Sequence, residues 1–157
     1  MPGNKHDSGQ DLFRLLYVSR AVLPVLAKFD ATVEDVLRTA QPNNARMDVT
    51  GLLVAHKGWF IQALEGPRRN VSMVFGVISR DLRHSQLEML SAGPVEKRLF
   101  GQWSMCAHAI TPKASPILET LDLAADFDPF QIDGAKALNL MTAVSKAVPA
   151  IELKRAG

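Results

Sequence analysis

The sequence predicts an α+β sandwich: a five-stranded mixed sheet with two helices on one face, followed by a helical extension. Three observations lead there. Apolar residues recur with period two and with helical period in the order strand, helix, strand, strand, helix, strand, strand. Turn-forming residues fall between those runs. The chain has 157 residues, of which 47% are apolar, enough for one domain with a proper core.

Met1 to Asp11 is polar and rich in Gly, Asn and Ser, which reads as a loose arm. From Leu12 to Ser19, alternation puts Phe13, Leu15, Tyr17 and Ser19 on one face of a strand, with Arg14 on the other. After a connector with Pro24, Thr32-Val33-Glu34-Asp35 resembles a capping box, and Val33, Val36, Leu37 and Ala40 form the stripe of a helix. Pro42 is expected to end that helix, leaving Asn43 and Asn44 at or just past its C-terminus. Val49 to His56 and Trp59 to Glu65 read as a hairpin about Lys57-Gly58. Gly66-Pro67 opens a second helix with proline in its first turn and a stripe of Val71, Val74, Phe75 and Ile78. Gln86 to Ala92 and Trp103 to Ile110 are the last two strands, joined by a polar connector at Pro94 to Arg98. The helix after the first strand is long enough for a right-handed crossover to a parallel neighbour. The whole order is that of a ferredoxin-like sandwich.

Residues 12–111 form this unit. Residues 112–157 are too few for a second domain and carry weaker stripes: Ile117, Leu118 and Leu121, then Ala137, Leu138, Met141, Val144 and Val148. The break between them spans Asp126 to Gly134, and the segment is expected to pack on the open sheet face or on a partner chain. That open face, with an amphipathic tail, suggests a homodimer.

Charge and cysteine usage exclude several classes. Eighteen Lys and Arg against sixteen Asp and Glu give a net charge of +2, without a basic run suited to nucleic acid or an anionic membrane. Cys106 is the single cysteine, so no internal disulfide forms, and no cysteine–histidine cluster has metal-ligand spacing. The N-terminus lacks an apolar leader and no apolar run approaches the ~20 residues of a membrane span. The expectation is a soluble cytoplasmic protein without a metal.

Taken singly, the candidate functional residues have ordinary readings beside the interesting ones. Gln62 shares a strand face with Phe60 and Leu64; it is either a solvent-side amide or a buried one that must find partners. Tyr17, the only tyrosine, belongs to a buried face where its hydroxyl needs an acceptor. Asn43-Asn44 after a helix is ordinarily a cap. Trp103 and Met105 point to one face of the last strand, as two core residues would. Arg83-His84 after the second helix reads as a solvated basic pair. Gly66-Pro67-Arg68-Arg69 could hold an anion at a helix N-terminus, although Pro67 lacks one of the donors needed.

Their joint order is more specific. LLYVSR (Leu15 to Arg20), NNAR (Asn43 to Arg46), TGLL (Thr50 to Leu53), FIQALEGP (Phe60 to Pro67), DLRH (Asp81 to His84) and FGQWSM (Phe100 to Met105) together resemble the BLUF family of flavin-binding blue-light sensors. The resemblance runs from Leu12 to about Ile110 and implies an FAD ring between the two helices. It implies that Tyr17 donates an electron and proton, that Gln62 lies between that tyrosine and the ring edge, and that Asn44 holds the ring's carbonyl side, with Asn43 at a neighbouring cofactor-binding position that is Asn or His among relatives. Arg83 and His84 would lie near its pyrimidine end, Val36 and Ile78 would flank it, and Trp103 and Met105 would carry the signal. Pro42 departs from the family pattern.

A glutamine amide offers an acceptor and a donor, so its rotation or tautomerisation reverses what it presents to a neighbour. The implied function is a photoreceptor, not a turnover enzyme, acting on a downstream protein that distinguishes two hydrogen-bond patterns. Two rivals remain at this point: an acylphosphatase-like hydrolase using Arg68 or Arg69 on phosphate, and an interaction module indifferent to light.

Overall fold

Alternation in the sequence translates into a five-stranded sheet in a computed structural model that describes residues 11–101, 106–109 and 128–147. The strands are β1 (Leu12–Ala21), β2 (Thr50–His56), β3 (Trp59–Pro67), β4 (His84–Pro94) and β5 (Cys106–Ala109). Their order is β4-β1-β3-β2-β5, antiparallel throughout except for the parallel β2–β5 pair. The expected parallel neighbour of β1 is corrected here: β2 does run parallel to β1, but β3 lies between them. The cause is the tight Lys57-Gly58 turn, whose two positive φ values, 46° and 82°, suit a hairpin and fold β3 directly beside β2.

The first face of the sheet carries Leu15, Tyr17, Leu53, Phe60 and Leu64 and is covered by helices α2 (Phe29–Arg46) and α3 (Arg68–Ser79). A one-turn helix, α1 (Leu23–Leu26), occupies the connector with Pro24 in its first turn.

Two local expectations for α2 fail. Thr32 is not its cap: the helix begins at Phe29, with Lys28 in the cap position, and the Thr32 hydroxyl donates back to the Lys28 carbonyl at 3.0 Å. Pro42 does not end it, and Asn43 and Asn44 belong to its last turn. Proline inside a helix costs about 3 kcal/mol. Burial of a stripe that runs from Val33 through Leu37 to Asn44 opposes that cost and carries the helix on to Arg46. In α3, Pro67 stands at the cap position and not within the first turn, and Val71 and Val74 are its buried residues.

The opposite face carries Leu16, Val18, Leu52, Val54, Trp59, Ile61 and Ala63. Against it packs α4 (Gly134–Ala147) through Ala137, Leu140, Met141 and Val144, with Asp133 capping the helix by accepting from Lys136 N at 2.8 Å. Of the two places expected for the tail, the open sheet face is the one where its helix is found. The same fact removes the premise from which a homodimer was expected. Trp103 and Met105, and the stripe Ile117, Leu118 and Leu121, lie outside the described residues. Among those described, no helix is long and apolar enough to cross a membrane.

Candidate functional site

The site is assembled by strand register. Tyr17 on β1 stands directly opposite Gln62 on β3, so both side chains emerge on the face that α2 and α3 cover. Gln62 is buried, at 4% exposure, which settles the two readings left open by its strand pattern. The Tyr17 hydroxyl donates a hydrogen bond to Gln62 Oε1. That commits the amide's acceptor to the phenol and turns its NH2 elsewhere. Burial, and secondarily the Asp81 carboxylate, push the Tyr17 phenol far above the usual tyrosine range. The proton therefore stays on the phenol oxygen in the resting protein.

Because α2 continues through Pro42, Asn44 falls on its buried side at 2% exposure, with its carbonyl accepting from Val49 N at 2.9 Å. Its side-chain Nδ2 is buried and has no hydrogen-bond partner. A buried amide donor left unmade is costly, so this one calls for an acceptor from outside the chain. Asn43, by contrast, is exposed and its Oδ1 accepts from Arg46 Nη2 at 3.2 Å.

At the other end, Asp81 accepts from both the backbone N–H and the Nε of Arg83, each at 2.9 Å. Hydrogen bonding to Arg83 holds the Asp81 carboxyl below its ordinary range, and the same pairing raises the guanidinium. His84 is fixed on both sides: Nε2 lies 2.8 Å from the Ile78 carbonyl, and so carries a hydrogen, while Nδ1 meets Ser19 Oγ at 2.7 Å. The His84 ring stands edge-on to Tyr17 and to Phe60.

All eight residues expected around a bound ring, Tyr17, Val36, Asn43, Asn44, Gln62, Ile78, Arg83 and His84, line one cavity of about 390 Å³. Val36, Leu53, Phe60, Val74 and Ile78 give it apolar walls, while Gln62, the asparagines and the Asp81–Arg83 pair give it a polar rim. This shape suits a flat ligand with apolar faces and a hydrogen-bonding edge. Asp81 and Ser19 were not singled out from the sequence. An aspartate two residues before Arg83 is the signal for the first, since that spacing lets a carboxylate cap its own turn. Nothing in the sequence marks Ser19 as the partner of His84. The phosphate reading of the α3 N-terminus gains no support from Arg68: its N–H already donates to the Asp11 carbonyl at 2.9 Å, and its guanidinium stacks 5.5 Å above the Phe13 ring.

The orphaned Asn44 donor and the apolar-walled cavity fit an isoalloxazine ring, whose carbonyls would offer the missing acceptor. A model of the BLUF family, described as "Sensors of blue-light using FAD", matches residues 12–106. Photoactivated adenylate cyclase subunit beta of Euglena gracilis is 27% identical over 139 residues, which is 88% of this chain and 15% of that protein. The blue light- and temperature-regulated antirepressor BluF of Escherichia coli (strain K12) is 34% identical over 73 residues, 46% of this chain and 18% of that one. The chain thus spans less than a fifth of the length of either relative. Among solved structures, BlrB, a BLUF protein in its dark state, superposes with a TM-score of 0.63 at 31% identity, covering 86% of this chain and 97% of that one. BlsA in its photo-activated state gives 0.74 at 21% identity, covering 90% and 99%, a likeness of fold.

Proposed function

The chain belongs to the BLUF family of flavin-binding blue-light sensors, and from that premise we propose that it binds FAD noncovalently in the cavity between α2 and α3 and signals through Tyr17 and Gln62. Asn44 Nδ2, with Asn43 beside it, holds the ring's carbonyl side. Arg83 and His84 hold its pyrimidine end, and Val36 and Ile78 flank its faces. The flavin supplies the blue-light absorption and, when excited, an electron acceptor.

The protein's part follows from the polar contacts. Tyr17 gives up an electron, which makes its phenol strongly acidic. Its proton then has a path already in place, the hydrogen bond to Gln62 Oε1. A protonated or tautomerised amide reverses its donor and acceptor ends, and when both the electron and the proton have returned to Tyr17 the amide remains in its new orientation. No substrate is turned over. The altered amide is read out through Trp103 and Met105 by a downstream protein that binds the two arrangements unequally.

We read residues 12–111 as the sensing unit and 112–157 as an extension, in a cytoplasmic protein. The homodimer uses a surface other than the sheet face that α4 covers, for example that of exposed Leu23 and Leu82. A mass that is monomeric at every concentration would remove the homodimer.

The single observation that carries the function is the Tyr17–Gln62 hydrogen bond in the wall of a cavity that also holds the orphaned Asn44 amide. The test is the visible spectrum of the purified protein before and after blue light, with the released flavin identified by chromatography. Expected are FAD and a red shift that reverses in darkness. A protein that takes up no flavin, or whose spectrum does not change, overturns the proposal.

A further inference from the structure

Glu65 is a fully buried carboxylate on β3 that plays no part in the cavity. A charge held out of water is tolerated when it is paired and hydrogen-bonded, and here both carboxylate oxygens are bonded, by three donors in all. Its Oε2 accepts from Arg14 Nε at 2.7 Å and from Leu99 N at 2.9 Å, and its Oε1 accepts from Phe100 N at 2.7 Å. Arg14 also donates to the Lys97 carbonyl at 3.1 Å. From the other side, Arg98 donates to Thr50 Oγ1 and to the Asp48 carbonyl, each at 3.0 Å. The leader into β5 is thus tied by charge-assisted hydrogen bonds to β1, to β3 and to the start of β2.

Three placements give this clasp a role beyond stability. Glu65 lies three residues from Gln62 on the same strand, about 10 Å along it, and points to the opposite face. Asp48, which anchors Arg98, follows α2 by two residues, so the clasp also touches the helix end that presents Asn44. The strand it leads to, β5, is an edge strand paired on one side only, from Leu52↔Cys106 to Ala55↔Ala109. Short edge elements are the least stable parts of a sheet, and their position depends on what holds their ends.

Resting on the light-sensing function proposed above, we infer that Glu65, with Arg14 and Arg98, is a positioning device that fixes the leader into β5 and thereby sets how fast the light-switched protein returns to its dark state. Loosening the clasp leaves the approach to β5 less firmly held and so speeds the return. The pocket, on the other face of β3, keeps its flavin.

The test compares Glu65→Gln, nearly isosteric but uncharged, with the unaltered protein. Removing a hydrogen bond to a charged group predicts recovery in darkness about tenfold faster, with flavin loading and the size of the red shift unchanged. Amide exchange of Leu99 or Phe100 should accelerate by a similar factor, a readout that needs no light. Arg98→Gln, which breaks the clasp from its more accessible side, should shift recovery in the same direction and serves if Glu65→Gln does not fold. Val144→Ala in α4 is the control: it lowers the melting temperature and leaves recovery as it was. With the red shift intact, recovery within threefold of the unaltered rate, or slower, in the folded clasp variant overturns this inference alone. An unaltered protein with no light-induced shift overturns the function and this inference with it.

Discussion

The two faces of the sheet are built from the same strands and end up different in kind. On the α4 face, Leu16, Val18, Leu52, Val54 and Ile61 meet Ala137, Met141 and Val144 in continuous apolar packing, and the one buried charge there among the described residues, Glu65, has both oxygens hydrogen-bonded. On the α2–α3 face, the helices leave a cavity of about 390 Å³ with a tyrosine, a glutamine and an orphaned asparagine donor in its walls. A face completed by its own chain satisfies its polar groups internally. A face that waits for a ligand keeps one unsatisfied. Substitutions on the two faces should therefore separate: stability on one, spectroscopy on the other.

The largest effect expected is loss of the light response. Gln62→Leu keeps the volume and removes both the acceptor for Tyr17 and the reversible end of the amide. Tyr17→Phe removes the donor. Each should bind flavin and show no reversible red shift; an unchanged photocycle in either would exclude the proposed mechanism and erase the contrast between the faces. On the other side, Met141→Ala empties a fully buried site in α4. It should cost about 2–5 kcal/mol by chemical denaturation while the shift of the folded fraction stays intact. A lost shift in that variant would mean the faces are not separable.

Asn44→Ala probes the contrast more finely, because its two effects have opposite signs. In flavin-free protein it removes an unsatisfied buried donor, so stability should hold or rise by up to about 1 kcal/mol. Flavin affinity should fall by about tenfold, the value of one hydrogen bond. Calorimetry of the apoprotein and flavin titration check the pair; a large loss of apoprotein stability would assign Asn44 to structure instead.

How much of this the sequence could carry depends on range. Tyr17 and Gln62 were readable as polar groups on apolar strand faces, because alternation is local. Their meeting was not, since it follows from the β1–β3 register, which the Lys57-Gly58 turn and the whole sheet determine. Pro42 misleads because a proline's cost is local while the burial that opposes it, from Val33 to Asn44, is tertiary. Glu65 was legible in part: in WFIQALE it follows Trp59, Ile61 and Ala63 on one strand face, and an acid ending such a series is either exposed or elaborately paired. Its partners Leu99 and Phe100, more than thirty residues on, leave no trace in that pattern.

The smallest effect concerns the phenol itself and sharpens the comparison through a single group. Tyr17 is the only tyrosine, so tyrosinate absorbance reports that residue and no other. Burial raises its folded pKa far above the ~10 of an exposed phenol. The unfolded chain loses the proton near pH 10 while the folded chain keeps it, so the unfolded state binds fewer protons from there upward. Stability from this group is then complete below about pH 10 and declines above it by about 1.4 kcal/mol per pH unit. Lysines also titrate in that window, and the Tyr17→Phe variant removes their share: the difference between the two stability curves should be flat to about pH 10 and then slope. No tyrosinate should appear in the folded protein at a pH where unfolding agents reveal it fully. Tyrosinate forming near pH 10 without unfolding would show that water reaches the phenol, and would leave the cavity face as open as any surface.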